Sequence, residues 1–361
     1  MNTITVHNEG KEIYRILLTE NFSSLAQAAG DAGMSGCRLC IVSDANTAPL
    51  YLDEVSQLFK SAGYPVFTFV FPAGEQNKNL NVVMDLYEQL VLNHFERGDV
   101  LVALGGGVVG DLTGFAAATF LRGIRFIQVP TTLLSQVDSS IGGKTGVDFR
   151  AYKNMVGAFH MPSLVYSSVA TLQTLPERIY REGMGEIIKH GLIRDRAYYE
   201  LLKEKYEDVL RRDPDTMLSI ISRSCQIKRE VVENDPHEKN IRALLNFGHT
   251  IGHAVEKLMS FKMYHGECVA VGMAAASWLS FKRGMISEED YQDIIDTIRS
   301  YDLPVAVHGL YAEDILRTTK SDKKAENGHV KFILLEGIGN AVVCHDVTDE
   351  EILAAAGEIL H

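Results

Sequence analysis

The sequence has no surplus of positive charge. Its 35 lysines and arginines face 47 aspartates and glutamates, a net charge of −12, which argues against general affinity for nucleic acid or an anionic membrane surface. A local cluster of lysines and arginines could still hold an anionic substrate. Long hydrophobic runs are absent too. The longest nearly apolar stretch, Cys268 to Phe281, is shorter than the roughly 20 residues of a membrane span, and its alanines and glycines suit a helix buried in protein. No basic segment followed by an apolar one opens the chain, so no export signal is expected. Cysteines are few, odd in number and scattered: Cys37, Cys40, Cys225, Cys268 and Cys344. That pattern favours reduced thiols and a cytoplasmic location. Cys37 and Cys40 fall within a strand-like run, where a spacing of three sends two side chains to opposite faces. No second pair completes a zinc tetrad, so buried thiols are favoured over a redox or metal pair.

What is present is enough for two cores. A chain of 361 residues, 46% of them hydrophobic, exceeds the ~250–300 residues that one core usually serves. In the first half, β-branched runs alternate with helical stretches: Arg38–Ser43, Val66–Phe71, Val100–Leu104 and Ile124–Val129 read as strands, Thr47–Ala62 and Asn79–Phe95 as helices. Such alternation predicts βαβ units and a parallel sheet covered by helices. From about Pro176 a 3.6-residue period dominates, in Glu177–Ile193, Asp215–Asn234, Gly266–Lys282 and Glu288–Tyr301, with two late strand-like runs, Lys331–Leu335 and Ala341–Cys344. The expected organisation is an α/β domain over 1–175, with a variant Rossmann-like parallel sheet, followed by a mainly α-helical domain over 176–361. No repeat or long linker separates them.

Three constellations carry chemistry. Val100–Leu104 runs into Gly105-Gly106-Gly107-Val108-Val109-Gly110-Asp111, a G-x-G-x-x-G turn after a strand and before a helix, where backbone can approach a pyrophosphate. Taken alone it fits a tight turn equally well. The acidic residue that usually grips the ribose about 20 positions on is missing, because Leu112 to Val137 contains no Asp or Glu. Carboxylates instead end the earlier strands, at Asp44 and Glu75, which suits a variant nucleotide domain. Next, Thr131-Thr132 and the run Gln136 to Gly146, with Lys144 among glycines and hydroxyls, read as an anion-binding loop. Arg122 stands upstream and Lys153-Asn154 downstream; a solvated turn is the competing interpretation. Last, His249 and His253 are spaced i, i+4 on one helical face, with His265 and Glu186 on other predicted helices. Imidazoles with a carboxylate suit zinc or a neighbouring first-row metal. A surface or packing role is the alternative, against which stand the glycines preceding both histidines of the pair.

Together Gly105–Asp111, Arg122-Gly123, Gln128–Leu134, Gln136–Thr145, Lys153–Phe159, Thr174-Leu175-Pro176 and Leu245–His253 resemble the 3-dehydroquinate synthases, motif for motif and in order. The resemblance runs from Asp44 to at least His265, with a looser match at Asp322-Lys323-Lys324. It implies that Glu186, His249 and His265 hold a divalent metal, Zn2+ or Co2+. NAD would be bound by Asp44, Asn46, Glu75, Lys78, Gly106, Gly107, Asp111, Thr131, Thr132, Lys153, Thr171 and Thr174. Catalytic roles would fall to Lys144, Glu238, His253, Arg122, Asn154 and Asp138. Substrate would be bound by Lys189, Lys228, Arg242, Asn246 and Lys324 or its neighbour Lys323. The substrate is a small sugar-acid phosphate, and Arg122 is expected to reach into a neighbouring subunit, so a homodimer is implied. For Lys228, Arg242 and Glu238 the residues themselves suggest only solvated charges; the resemblance alone raises them.

Three positions depart from the family pattern: Tyr152 precedes Lys153-Asn154 in place of Gly, Leu18–Asn21 replaces a Gly-x-Gly, and Gly185 replaces the usual Ala before Glu186. The implied reaction is the NAD- and metal-dependent conversion of a heptulosonate phosphate to 3-dehydroquinate and phosphate. It proceeds through transient oxidation, phosphate elimination, re-reduction, ring opening and aldol closure. Rival readings are another sugar-phosphate cyclase, a metal-dependent polyol dehydrogenase and a non-catalytic nucleotide-binding regulator. A bidentate arginine for a substrate carboxylate favours dehydroquinate synthesis over other cyclases, and the Lys144/Asn154/Arg122 group argues against a dehydrogenase.

Overall fold

The computed structural model describes residues 2–150, 152–235, 241–260, 262–321, 325–326 and 329–360. The chain divides into two compact units. The first comprises Met1–Leu175 and Met217–Arg229, the second Pro176–Thr216 and Glu230–His361.

Among its described residues the first unit has nine strands: β1 (Asn2–Asn8), β2 (Lys11–Thr19), β3 (Leu39–Asp44), β4 (Val66–Phe71), β5 (Val100–Gly105), β6 (Arg125–Pro130), β7 (Lys144–Phe149), β8 (Tyr152–Phe159) and β9 (Leu164–Ser168). Among the described residues, four α-helices lie wholly within this unit: α1 (Leu25–Ala29), α2 (Ala48–Ser61), α3 (Leu80–Leu92) and α4 (Gly107–Thr119). Seven strands form one sheet in the order β1-β2-β9-β6-β5-β3-β4. It is parallel except where β1 pairs antiparallel with β2. The anticipated mostly parallel sheet is therefore present.

Side chains of β3 alternate between two cores. Leu39 and Ile41 join α1 and α2 residues such as Leu25, Val55 and Phe59. Cys40 and Val42 join Val83, Leu86, Leu112 and Ala116 of α3 and α4. Both faces are covered, which is why these strands read as near-continuous apolar runs. Cys37 packs against the first core and Cys40 lies in the second, on opposite sides as the spacing required, and all five cysteines are free thiols.

Two hairpins had no place in the alternating pattern. In β1–β2 the apolar residues are interspersed with charge, and Ile4 and Val6 are buried by long-range pairing. Residues 144–146, read from sequence as loop, begin β7 because they pair with residues 157–159 of β8. The departure at Leu18–Asn21 is held in place by its neighbours: Ala170 N and Ser168 Oγ donate to the Glu20 carbonyl at 3.1 and 3.0 Å.

The second unit is mainly helical. It contains α5 (Glu177–Arg194), α6 (Arg196–Glu204), α7 (Tyr206–Leu210), the ends of α8 (Pro214–Asn234), α9 (His249–Leu258), α10 (His265–Lys282), α11 (Glu288–Ser300), α12 (Ala312–Ser321) and α13 (Asp349–Glu358). Two short strand pairs complete it: β10 (Ala325–Glu326) with β11 (His329–Val330), and β12 (Phe332–Gly337) with β13 (Asn340–Cys344). Helix starts carry the expected signals: Asp213 caps α8 ahead of Pro214, and Thr348 with Glu351 forms a capping box on α13. Among the described residues, no helix is long and apolar enough to cross a membrane. The apolar run Cys268–Phe281 lies in α10, which is almost wholly buried.

Glycines bring three of these helices unusually close. A Cβ on Gly272 of α10 would stand 1.8 Å from the carbonyl oxygen of Gly248, and one on Gly185 of α5 would stand 2.6 Å from that of Gly266. The glycine preceding Glu186 therefore makes room for the start of α10.

Candidate active site

In the first unit, β5 ends at Gly105 and the chain turns through Gly106 into α4. A Cβ on Gly106 would lie 3.1 Å from Thr132 Cγ2, and one on Gly107 would lie 3.1 Å from Ser139 Oγ. Thr131 N donates to the Gly105 carbonyl at 3.0 Å. The first N–H groups of α4 thus sit beside a hydroxyl-rich turn at the carboxyl end of parallel strands, where nucleotides bind in open α/β sheets. Asp44 ends β3, its Oδ1 accepting from Asn46 N at 3.0 Å and Thr47 N at 2.8 Å.

Lys78 organises the neighbouring charges. It is buried, its Nζ 2.9 Å from Glu75 Oε1, and it donates to Asp111 Oδ2 at 3.3 Å and Asn154 Oδ1 at 2.7 Å. Burial would lower its pKa, but Asp111 and Glu75 outweigh that and hold it above the usual lysine value. Asp111 is pushed up to about 6, burial prevailing over the pull of Lys78. Lys153 Nζ lies 3.8 Å from Glu75 Oε1, so Glu75, Lys78, Asp111, Lys153 and Asn154 form one group. Thr174 is exposed and hydrogen-bonded to the Tyr51 hydroxyl. Thr171 is fully buried, its hydroxyl donating to the Ser168 carbonyl and accepting from Gln136 Nε2.

Lys228, in the part of α8 that belongs to the first unit, donates to Asp138 Oδ1 at 2.6 Å. Lys144 is exposed at the start of β7. Arg122 follows α4 in a tight turn where Leu121, Arg122 and Gly123 take φ of 51°, 70° and 117°. Two successive left-handed residues that are not glycine are costly and cluster at functional positions.

In the second unit, helical spacing puts Glu186 and Lys189 on one face of α5, and Lys189 Nζ donates to Glu186 Oε2. Both are fully buried. Glu186 Oε1 meets no hydrogen-bond donor among the described residues, yet it lies 3.4 Å from His249 Nε2 and 3.5 Å from His265 Nε2. Burial would raise the Glu186 pKa, but Lys189 and His265 outweigh it and keep the carboxylate ionised. His249 Nδ1 is 3.1 Å from the Phe247 carbonyl; donating there leaves Nε2 as an unprotonated acceptor. Burial, together with Lys189 and the other histidines, holds His249 well below the usual imidazole value. Two lone pairs, on Oε1 and Nε2, therefore face each other in a buried position. A cation resolves that conflict, and the donor set is the one divalent zinc or cobalt prefers.

His265 has Nδ1 3.5 Å from Glu256 Oε2. Burial opposes its charge, but Glu186 and Glu256 prevail and raise it to about 10; a metal taken up by this ring would displace that proton. His253 joins the group: its ring centroid is 5.1 Å from that of His249 and 5.8 Å from that of His265. Ligand atoms of the three histidines all lie within 4.8 Å of one another. Arg242 is buried on the short helical segment Ile241–Asn246, its backbone N bonded to Asp235 Oδ2 at 3.0 Å, with Asn246 at the segment's end. Glu238, Lys323 and Lys324 lie outside the described residues.

Two acidic residues escaped the sequence reading. Glu256, buried three positions after His253, looks in sequence like any helix charge; a carboxylate beside an imidazole nitrogen fixes the ring's orientation. Asp148 accepts from Asn154 N at 2.8 Å.

Residues 68–182 match the family described as 3-dehydroquinate synthase N-terminal, and residues 183–325 the one described as 3-dehydroquinate synthase C-terminal. A 3-dehydroquinate synthase of Acetivibrio thermocellus is 42% identical over 350 residues, covering 96% of this chain and 97% of its own. Among solved structures, 2-epi-5-epi-valiolone synthase from Streptomyces hygroscopicus subsp. jinggangensis 5008, with NAD+ and Zn2+ bound, is 30% identical. It has a TM-score of 0.89 and a match covering 99% of this chain and 98% of that one. A 2-deoxy-scyllo-inosose synthase complexed with carbaglucose-6-phosphate, NAD+ and Co2+ is 25% identical, with a TM-score of 0.90 and 99% and 100% coverage. This chain belongs to the 3-dehydroquinate synthase family.

Proposed function

We propose that this enzyme is a 3-dehydroquinate synthase, a phosphate-eliminating carbon–oxygen lyase. It converts 3-deoxy-D-arabino-heptulosonate 7-phosphate to 3-dehydroquinate and phosphate, in the shikimate pathway to aromatic amino acids. It works as a cytoplasmic homodimer with NAD and a divalent metal, Zn2+ or Co2+. The observation that carries this reading is the buried Glu186 Oε1 facing His249 Nε2 at 3.4 Å and His265 Nε2 at 3.5 Å, in a chain whose near-full-length relatives are dehydroquinate synthases.

Glu186, His249 and His265 would hold the metal, while Lys189 keeps Glu186 ionised. The Gly106–Gly107 turn, Thr131 and Thr132 would receive the NAD pyrophosphate, with Asp44, Asn46, Glu75, Lys78, Asp111, Lys153, Thr171 and Thr174 completing the cofactor site. The chemistry these two groups supply when bound is reversible hydride transfer and acidification of an alcohol.

The chain's own residues do the rest. Arg242, with Asn246, suits the substrate carboxylate, for which a guanidinium offers two parallel donors. Asp138 is held by Lys228 and, with Lys189, would fix substrate hydroxyls. Lys144, Asn154 and Arg122 from a second copy would neutralise the departing phosphate as charge builds on it. His253 stands against the metal-binding imidazoles, where it would relay a proton, and Glu238 and Lys323 or Lys324 keep the roles their positions imply. Ring opening and aldol closure then need mainly confinement of the correct conformer. Mass analysis of the product from the heptulosonate phosphate tests this directly: dehydroquinate supports it, and any other cyclitol or an uncyclised ketone refutes it.

A further inference from the structure

We propose that Asp148 is a positioning residue that shapes the strand bulge presenting Lys153 and Asn154, an inference resting on the reading above that this pair meets NAD and substrate phosphate. The register of the β7–β8 hairpin carries the argument. Val147 pairs with Val156 and Phe149 with Tyr152. Between these pairs β7 supplies one residue, Asp148, and β8 supplies three: Lys153, Asn154 and Met155. Bulges of this kind re-aim side chains next to sites. Here the extra residues include both members of the proposed binding pair.

A bulge leaves backbone groups without ladder partners, and Asp148 meets that need. Its Oδ1 accepts from Asn154 N at 2.8 Å, at the residue whose φ is +54°, in the left-handed region. Its own N donates to the Lys78 carbonyl at 2.8 Å. Lys78 Nζ in turn donates to Asn154 Oδ1 at 2.7 Å. The three residues close a ring of hydrogen bonds in which both the backbone and the side chain of Asn154 are fixed. An aspartate that merely favours a turn would need only its local bonds. The return path through buried Lys78 is what ties the bulge to the rest of the proposed cofactor group.

Lys78 Nζ also lies 4.0 Å from Asp148 Oδ1, so two substitutions separate the acceptor oxygen, which the proposal makes the working part, from the charge. Asp148→Asn keeps an oxygen at the same distance and loses the charge. Asp148→Glu keeps the charge and moves the oxygen by a methylene. In the metal- and NAD-loaded enzyme, D148N should retain kcat for phosphate release within about three-fold of wild type. D148E should lose about ten-fold or more in kcat/KM, as expected for ångström-scale misplacement. Wild-type rates in D148E, or equal loss in both variants, would overturn the proposal. Amide hydrogen exchange at Asn154 gives a reading independent of turnover: slow in wild type and D148N, fast in D148E and D148A. Equal exchange in all four would also overturn it. Absence of phosphate release from the wild type itself would count against the parent reading and leave the exchange result standing.

Discussion

Gly266 and Glu182 touch backbone to backbone: a Cβ on Gly266 would stand 1.8 Å from the Glu182 carbonyl oxygen. His265 is the preceding residue and opens α10, so this contact sets where its imidazole stands relative to Glu186. Gly266→Ala should push the two helices apart. The expected cost is about 1–3 kcal/mol or more, as for overpacked cores, read as a lower melting temperature together with weaker zinc affinity. A G266A variant with wild-type melting and wild-type zinc binding would show that this contact does not position the histidine.

Glu256 lies 3.5 Å from His265 Nδ1, behind the ring edge that faces Glu186. Glu256→Gln removes the charge that orients and enriches that imidazole. Zinc affinity, measured by chelator competition, should fall about 10–100-fold, the usual effect of losing such an outer partner. Unchanged affinity would make Glu256 a packing residue only.

Asp111 gives a pH dependence of definite sign. Its folded-state pKa is raised to about 6 from 3.8. Well below pH 3.8 the carboxyl is protonated whether folded or not, and its contribution to stability is intact. As pH rises toward 6, the unfolded chain ionises first and the native state loses ground. Asp111→Asn removes this titration. The melting temperature of D111N relative to wild type should therefore climb between pH 4 and 7, and a difference that stays flat or shrinks would contradict the assignment.

Much of this was legible in the sequence because it is local. The alternation at β3–β6 reports burial on both sheet faces, and the Gly105–Gly110 turn reports a strand feeding a helix. His249 and His253 share a face by helical period alone. What was not legible depends on partners far along the chain. Residues 144–146 look like loop until β8 pairs with them, and the bulge opposite Asp148 exists only in that pairing. Gly185 reads as a helix-weakening substitution, yet the room it leaves is taken by Gly266. Glu256 is silent for the same reason: nothing near it in sequence announces that His265 arrives at its side.

In the proposed reaction oxidation is transient and phosphate is lost. This is tested by counting phosphate released per NAD+ supplied, with the heptulosonate phosphate in excess, zinc present and absorbance followed at about 340 nm for the reduced nicotinamide released by a dehydrogenase. Many phosphates should be released per NAD+ with no net build-up of NADH. Stoichiometric NADH without phosphate release would contradict it.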